Sequence, residues 1–122
     1  MKKFLILLLI LTASFISKSQ TTISIDSVVK TNEGNVVYYS YCTDKEGRDF
    51  FDFSGMVSAK STNNRFKYFG GMWCETCMIT PCGAGSFLDG WTSQRKEERT
   101  YQIVARLWTG EVFTSNTVTV SK

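Results

Sequence analysis

Side chains that change face at every residue can bury a single face only as a β-strand, and this chain shows that period repeatedly. Over residues 100–109, Tyr101, Ile103, Ala105 and Leu107 alternate with Gln102, Val104, Arg106 and Trp108. Thr109-Gly110-Glu111 turns the chain, and residues 112–121 return with Val118 and Val120 in step, which predicts a β-hairpin. The returning strand is rich in Thr and Ser, which suits an edge position. Shorter runs of the same kind occupy residues 22–25, 36–42, 48–54, 56–60 and 65–69. Turn residues separate them at 32–35, 44–47 and 63–64. No segment sustains a helical period. Six or seven short strands without a helix predict an all-β sandwich or small barrel.

The alternation also assigns faces. Val37, Tyr39 and Tyr41 point one way, and Val36, Tyr38, Ser40 and Cys42 the other, with burial expected for Cys42. Phe51 and Phe53 share a face opposite Phe50 and Asp52. A two-sheet core is then supplied by Ile23, Ile25, Val37, Tyr39, Phe51, Phe53, Ile103, Ala105 and Leu107. Residues 70–93 break the pattern and read as one long irregular loop. It holds Cys74, Cys77, Cys82, the only Pro, Trp73, Phe87 and Trp91. A loop this long in a small domain is stapled or functional.

The first 19 residues read as an address. Met1-Lys2-Lys3 is positive, residues 4–11 are unbroken apolar, and Ser17-Lys18-Ser19 places small residues at alternate positions. That order is a secretory signal peptide, too short in its apolar run to span a bilayer. The segment resembles export signals of Bacteroidota, with cleavage before Gln20. Residues 20–122 then form one domain, secreted or periplasmic, without membrane insertion. The whole chain carries a formal charge of +3. Loss of Lys2, Lys3 and Lys18 leaves 11 basic residues against 11 acidic ones. A balanced chain gives no general attraction to nucleic acid or anionic membrane.

Four cysteines in an exported chain of this size read as two disulfides, with three connectivities open. The favoured set is Cys77–Cys82, closing a small loop around Pro81, with Cys42–Cys74 tying it to an early strand. Trp73-Cys74-Glu75-Thr76-Cys77 resembles the WCxxC of thioredoxins, which would imply thiol–disulfide chemistry at Cys74 and Cys77. No βαβ pattern surrounds it, and Glu75 would raise rather than lower a thiol pKa. A four-Cys zinc site lacks paired spacing around Cys42. The acids at 44, 46 and 49 do not follow a calcium loop. Neither a metal nor a cofactor is therefore expected. The chain contains no His, which removes Ser-His and Cys-His nucleophile pairs and His-ligated metals. The charge run at 94–99 reads as a solvated approach to the last long strand.

Residues 101–108, a Gly turn and residues 116–121 resemble the last two strands of immunoglobulin-like and fibronectin type III-like domains. The resemblance implies an antiparallel β-sandwich, here with a long disulfide-stapled loop. It also implies that Tyr101 is the corner tyrosine, its hydroxyl bonding to nearby backbone. Function follows from the loop rather than the fold. Met72, Trp73, Phe87 and Trp91, held by disulfides, would offer rigid apolar anchors to a protein or carbohydrate ligand. The expected function is a non-enzymatic exported binding or adhesion module. An inhibitor that plugs a foreign enzyme and a redox protein using Cys74 and Cys77 are the alternatives.

Overall fold

In the computed structural model, residues 21–71, 81–90 and 97–121 are described. The chain is all-β. Its strands are β1 (Thr22–Thr31), β2 (Gly34–Cys42), β3 (Phe50–Ala59), β4 (Lys67–Gly71), β5 (Cys82–Gly90), β6 (Arg99–Leu107), β7 (Val112–Thr114) and β8 (Val118–Val120). They form two antiparallel sheets. One has the order β1-β2-β5, the other β4-β3-β6-β7, with β8 also pairing β6. The signal-peptide reading of residues 1–19 lies outside the described residues.

The hairpin expected at the C-terminal end is present, with its return broken into two pieces. β7 pairs with Val104–Arg106 and β8 with Arg99–Tyr101, so both follow β6. Between them Ser115 substitutes for a strand. Its Oγ accepts from the Ile103 N–H at 2.8 Å and its own N–H donates to the Ile103 carbonyl at 2.8 Å. Asn116 then reaches across to β1. Its Oδ1 accepts from the Ile25 N–H at 2.7 Å, and its Nδ2 donates to the Ile25 carbonyl at 3.2 Å. A side-chain amide thereby satisfies backbone groups of β1 that would otherwise template further pairing.

Residues 48–54 and 56–60 are joined in β3, which runs unbroken to Ala59. Eight of the nine expected core residues are buried. Phe51 is the exception, because the β3–β6 register shifts between Phe50 and Asp52. The bulge places Phe50 and Phe53 inside and turns Phe51 outward. Tyr39, Tyr41, Phe50, Phe53 and Phe87 pack as one aromatic group between the sheets. Burying each such ring contributes roughly 1.5–3 kcal/mol.

Residues 82–90 are not loop. β5 pairs in full register with β2. Its small residues explain why the sequence pattern hides it: Gly83 faces Tyr41 and Gly85 faces Tyr39. A Cβ at either glycine would lie 2.5 Å from the facing tyrosine Oη. The tyrosine rings occupy the space that side chains at these two positions of β5 would need, so there the apolar contribution comes from β2, and Phe87 is the apolar residue that β5 adds to the core.

The same register corrects the cysteine pairing. Cys42 and Cys82 are directly opposed, with Cα atoms 4.0 Å apart, and are disulfide-bonded. Both sit on the exposed outer face, not the buried one, because Val37, Tyr39 and Tyr41 take the inner positions. This bond excludes Cys77–Cys82 and Cys42–Cys74 together. The one two-disulfide connectivity that contains it pairs Cys74 with Cys77, which lie outside the described residues. Non-reducing peptide mapping is expected to recover a Cys42–Cys82 peptide. For a separation of 40 residues, loop-closure entropy gives the bond about 4 kcal/mol. The Cys42→Ser/Cys82→Ser protein is expected to lose that much in a urea titration.

Candidate functional site

Two concentrations of polar chemistry stand out, and the first is buried. Asn35 and Asp89 are opposed on β2 and β5, while Arg99 and Tyr101 lie on β6 in the other sheet. The Tyr101 hydroxyl donates to Asp89 Oδ2 at 2.5 Å and accepts from Asn35 Nδ2 at 2.9 Å. Arg99 Nη1 meets the same carboxylate oxygen at 2.6 Å, and Arg99 Nη2 meets Glu97 at 3.3 Å. Tyr101 thus stands where the resemblance put a corner tyrosine, but it bonds to side chains rather than nearby backbone. Glu97 and Arg99 are largely buried too, so the charge run does not end in solvent. The network fastens one sheet to the other.

Burial, followed by the bond to Asp89, pushes the Tyr101 hydroxyl well above the ordinary tyrosine range. Burial and then Tyr41 raise Tyr39. Burial alone would lower Arg99, but Asp89, with Tyr101 and Glu97, outweighs it and the net shift is upward. A raised tyrosine pKa means that above about pH 10 the unfolded chain sheds a proton that the folded chain keeps. The stability from Tyr101 and Tyr39 is therefore complete below that pH and declines above it. Urea midpoints are expected to hold from about pH 8 to 10 and to drop steeply by about pH 11. A flat profile to that point would contradict the assignment.

The second concentration is exposed. Trp108 follows the last residue of β6 in a four-residue connection, Trp108-Thr109-Gly110-Glu111. The Gly110 N–H donates to the Leu107 carbonyl at 3.0 Å and the Leu107 N–H to the Glu111 carbonyl at 2.9 Å. Gly110 has φ +97°, the positive value that closes such a loop. The Trp108 N–H donates to the Asp49 carbonyl at 3.1 Å. Its backbone is thereby fixed while its side chain remains 70% exposed. Phe51, turned outward by its bulge, lies beside it with ring centroids 5.3 Å apart and planes tilted by 47°. Two independent backbone irregularities, a bulge and a tight loop, deliver two aromatic rings to one ledge.

Charged groups border the ledge. Lys45, Arg48, Asp49, Thr109 and Glu111 line, with Trp108, an open cleft of about 230 Å³. Arg48 Nε pairs with Glu46 at 2.6 Å, and Asp49 Oδ2 accepts from the Glu46 N–H at 2.8 Å. Among the described residues, the Lys45 ammonium and the Glu111 carboxylate make no ion pair. A larger cleft beside Lys60, Asn64, Glu97 and Glu98 has no aromatic residue in its lining among the described residues. Val29, Val36 and Leu88 form an apolar row across β1, β2 and β5, with Ser27, Tyr38 and Ser86 as the next row on the same face. No cluster of His, Cys, Asp or Glu is arranged to hold a metal among the described residues.

Of the residues expected to bind, Phe87 is in the core. It is 8% exposed and stacks on Tyr39 with centroids 4.7 Å apart. Met72, Trp73 and Trp91 lie outside the described residues. The sequence reading missed Trp108 and Phe51 by assigning both to regular strand faces. The available signal was Trp108 next to Thr109-Gly110, where a turn takes over from the strand. No family model, curated protein or solved structure matches the chain.

Proposed function

We propose that this chain is an exported, non-enzymatic binding module of immunoglobulin-like architecture, whose ligand surface is the Phe51–Trp108 ledge. The observation that carries the reading is that a bulge and a loop both expose an aromatic ring at one place. Leaving such rings in water forgoes burial that a small domain needs, so their exposure is better explained by a partner than by folding. Pre-ordered Trp is also the residue type that most often anchors binding. Export is supported by the charged-apolar-small start of the sequence and by the Cys42–Cys82 bond, which belongs to oxidising compartments. Among the described residues no helix is long and apolar enough to cross a membrane.

The strand order supports the architecture. With the strands read as A, B, C, C′, E, F and a divided G, the sheets are A-B-E and C′-C-F-G. The second is the arrangement of immunoglobulin variable-type sheets, with C′ beside C.

Trp108→Ala and Phe51→Ala proteins test the reading. Each is expected to stay folded, losing at most about 1 kcal/mol in urea, since only an exposed ring pair is removed. Retention on the source organism's envelope and secreted-polymer fractions is expected to fall about tenfold or more. Unchanged retention in both would sink the proposal.

A second reading gains support from the disulfide. The connectivity that includes Cys42–Cys82 leaves Cys74 and Cys77 as a CxxC pair, the small ring typical of reducible, catalytic disulfides. Mild reductant followed by alkylation and mass spectrometry separates the readings. Labelling at Cys74 and Cys77 with Cys42–Cys82 intact favours redox chemistry; no labelling removes it.

A further inference from the structure

We infer that the ledge takes a neutral carbohydrate chain, with one sugar ring stacked on Trp108 and its hydroxyls held by Glu111 and Lys45; this rests on the binding reading above. The face of an indole carries negative charge density from its π-quadrupole. A pyranose ring offers it a face of positively polarised C–H groups and keeps its hydroxyls at the rim. The rim of this ledge matches that rim. A carboxylate accepts O–H bonds at both oxygens and an ammonium donates three N–H bonds, and among the described residues neither Glu111 nor Lys45 is committed to an ion pair. Thr109 adds a hydroxyl that donates or accepts.

Size and charge narrow the class. A cleft of about 230 Å³ accommodates a single sugar ring, and it is open, so a longer chain can pass over it. Lys45 and Arg48 face Glu46, Asp49 and Glu111, which leaves a local balance of one negative charge. Such a site repels a polyanion such as a uronate polymer or nucleic acid and has no such quarrel with a neutral one. A protein partner fits less well. Stable protein interfaces bury roughly 800 Å² per side around an apolar centre depleted of charge. Here the cleft beside Trp108 is lined, apart from Leu107, by charged and polar side chains.

Affinity electrophoresis of the domain from Gln20 onward, in gels holding soluble mannan, β-glucan, xylan or alginate, tests the inference. At least one of the three neutral polymers is expected to retard the parent protein, and alginate to retard it less. Trp108→Ala is expected to weaken that binding about tenfold or more, Trp108→Phe to restore part of it, and Glu111→Gln to weaken it severalfold. Retardation by alginate alone would overturn the neutral class. No retardation in any gel, together with Trp108-dependent retention of a proteinaceous fraction, would overturn the carbohydrate class while the binding reading stands. No retardation and no Trp108-dependent retention of any fraction would overturn both.

Discussion

Replacing Asp89 by Ala is expected to cost about 3–5 kcal/mol, the range seen when one partner of a buried ion pair is removed. The size follows from what is left behind. The side chains of Arg99 and Asp89 are 14% and 7% exposed, and the carboxylate serves Arg99 and the Tyr101 hydroxyl through the same oxygen. Without it, a guanidinium loses its short contact and retains the longer one to Glu97, and a fully buried phenol loses its acceptor. The native charge pair need not stabilise much in its own right, because burying both ions is itself costly. Breaking it on one side is what costs. Asp89→Asn separates the two contributions: an amide oxygen still accepts from Tyr101, but the charge is gone, so an intermediate loss is expected. For a domain of ordinary stability, the Ala change removes a third or more of the total. A loss under about 1 kcal/mol in urea unfolding would show that the network does not hold the sheets together.

That network was not legible in the sequence, and the reason is geometric. Residues 35, 89, 99 and 101 come from three strands in two sheets, and only the pairing of β2 with β5 and the packing of β6 over them bring the side chains together. Period-two alternation is a local signal, so it revealed the strands and the inward faces of Ile23, Val37, Tyr39 and Ile103. It failed wherever a cross-strand partner sets the outcome. Phe51 faces out because β3 carries one residue more than β6 opposes at that point. Cys42 joins Cys82 because they share a register position, a relation that spacing in sequence does not encode. Gly83 and Gly85 look like breakers until Tyr41 and Tyr39 are seen lying against them. The candidate site fared worst for the same reason, since both its rings are placed by departures from regular strand.

Gly34→Ala is expected to be the most damaging change of one methyl group in the protein, above about 4 kcal/mol, a range reserved for severe mechanisms. Two penalties coincide there. Gly34 has φ +146°, which L side chains rarely adopt. A Cβ would also lie 2.1 Å from the Asp89 carbonyl oxygen and 2.9 Å from the Gly90 Cα. Those are backbone atoms of the paired strand, so no rotamer change relieves the overlap; β2 and β5 must part. Parting them moves Asn35 and Asp89, the next opposed pair, away from Tyr101. The methyl group would therefore disrupt the buried network without altering any of its side chains. Two other glycines isolate the terms. Gly110 shares the positive φ but has open space around it, so Gly110→Ala is expected to cost only about 1–2 kcal/mol of backbone strain. Gly70 has neither constraint, and Gly70→Ala should stay within about 0.5 kcal/mol. Coupling to the network predicts that Gly34→Ala and Asp89→Ala together cost clearly less than the sum of the two single losses. If Gly34→Ala costs no more than Gly110→Ala, or if the two losses simply add, the close approach of β2 to Asp89 is not what positions the carboxylate.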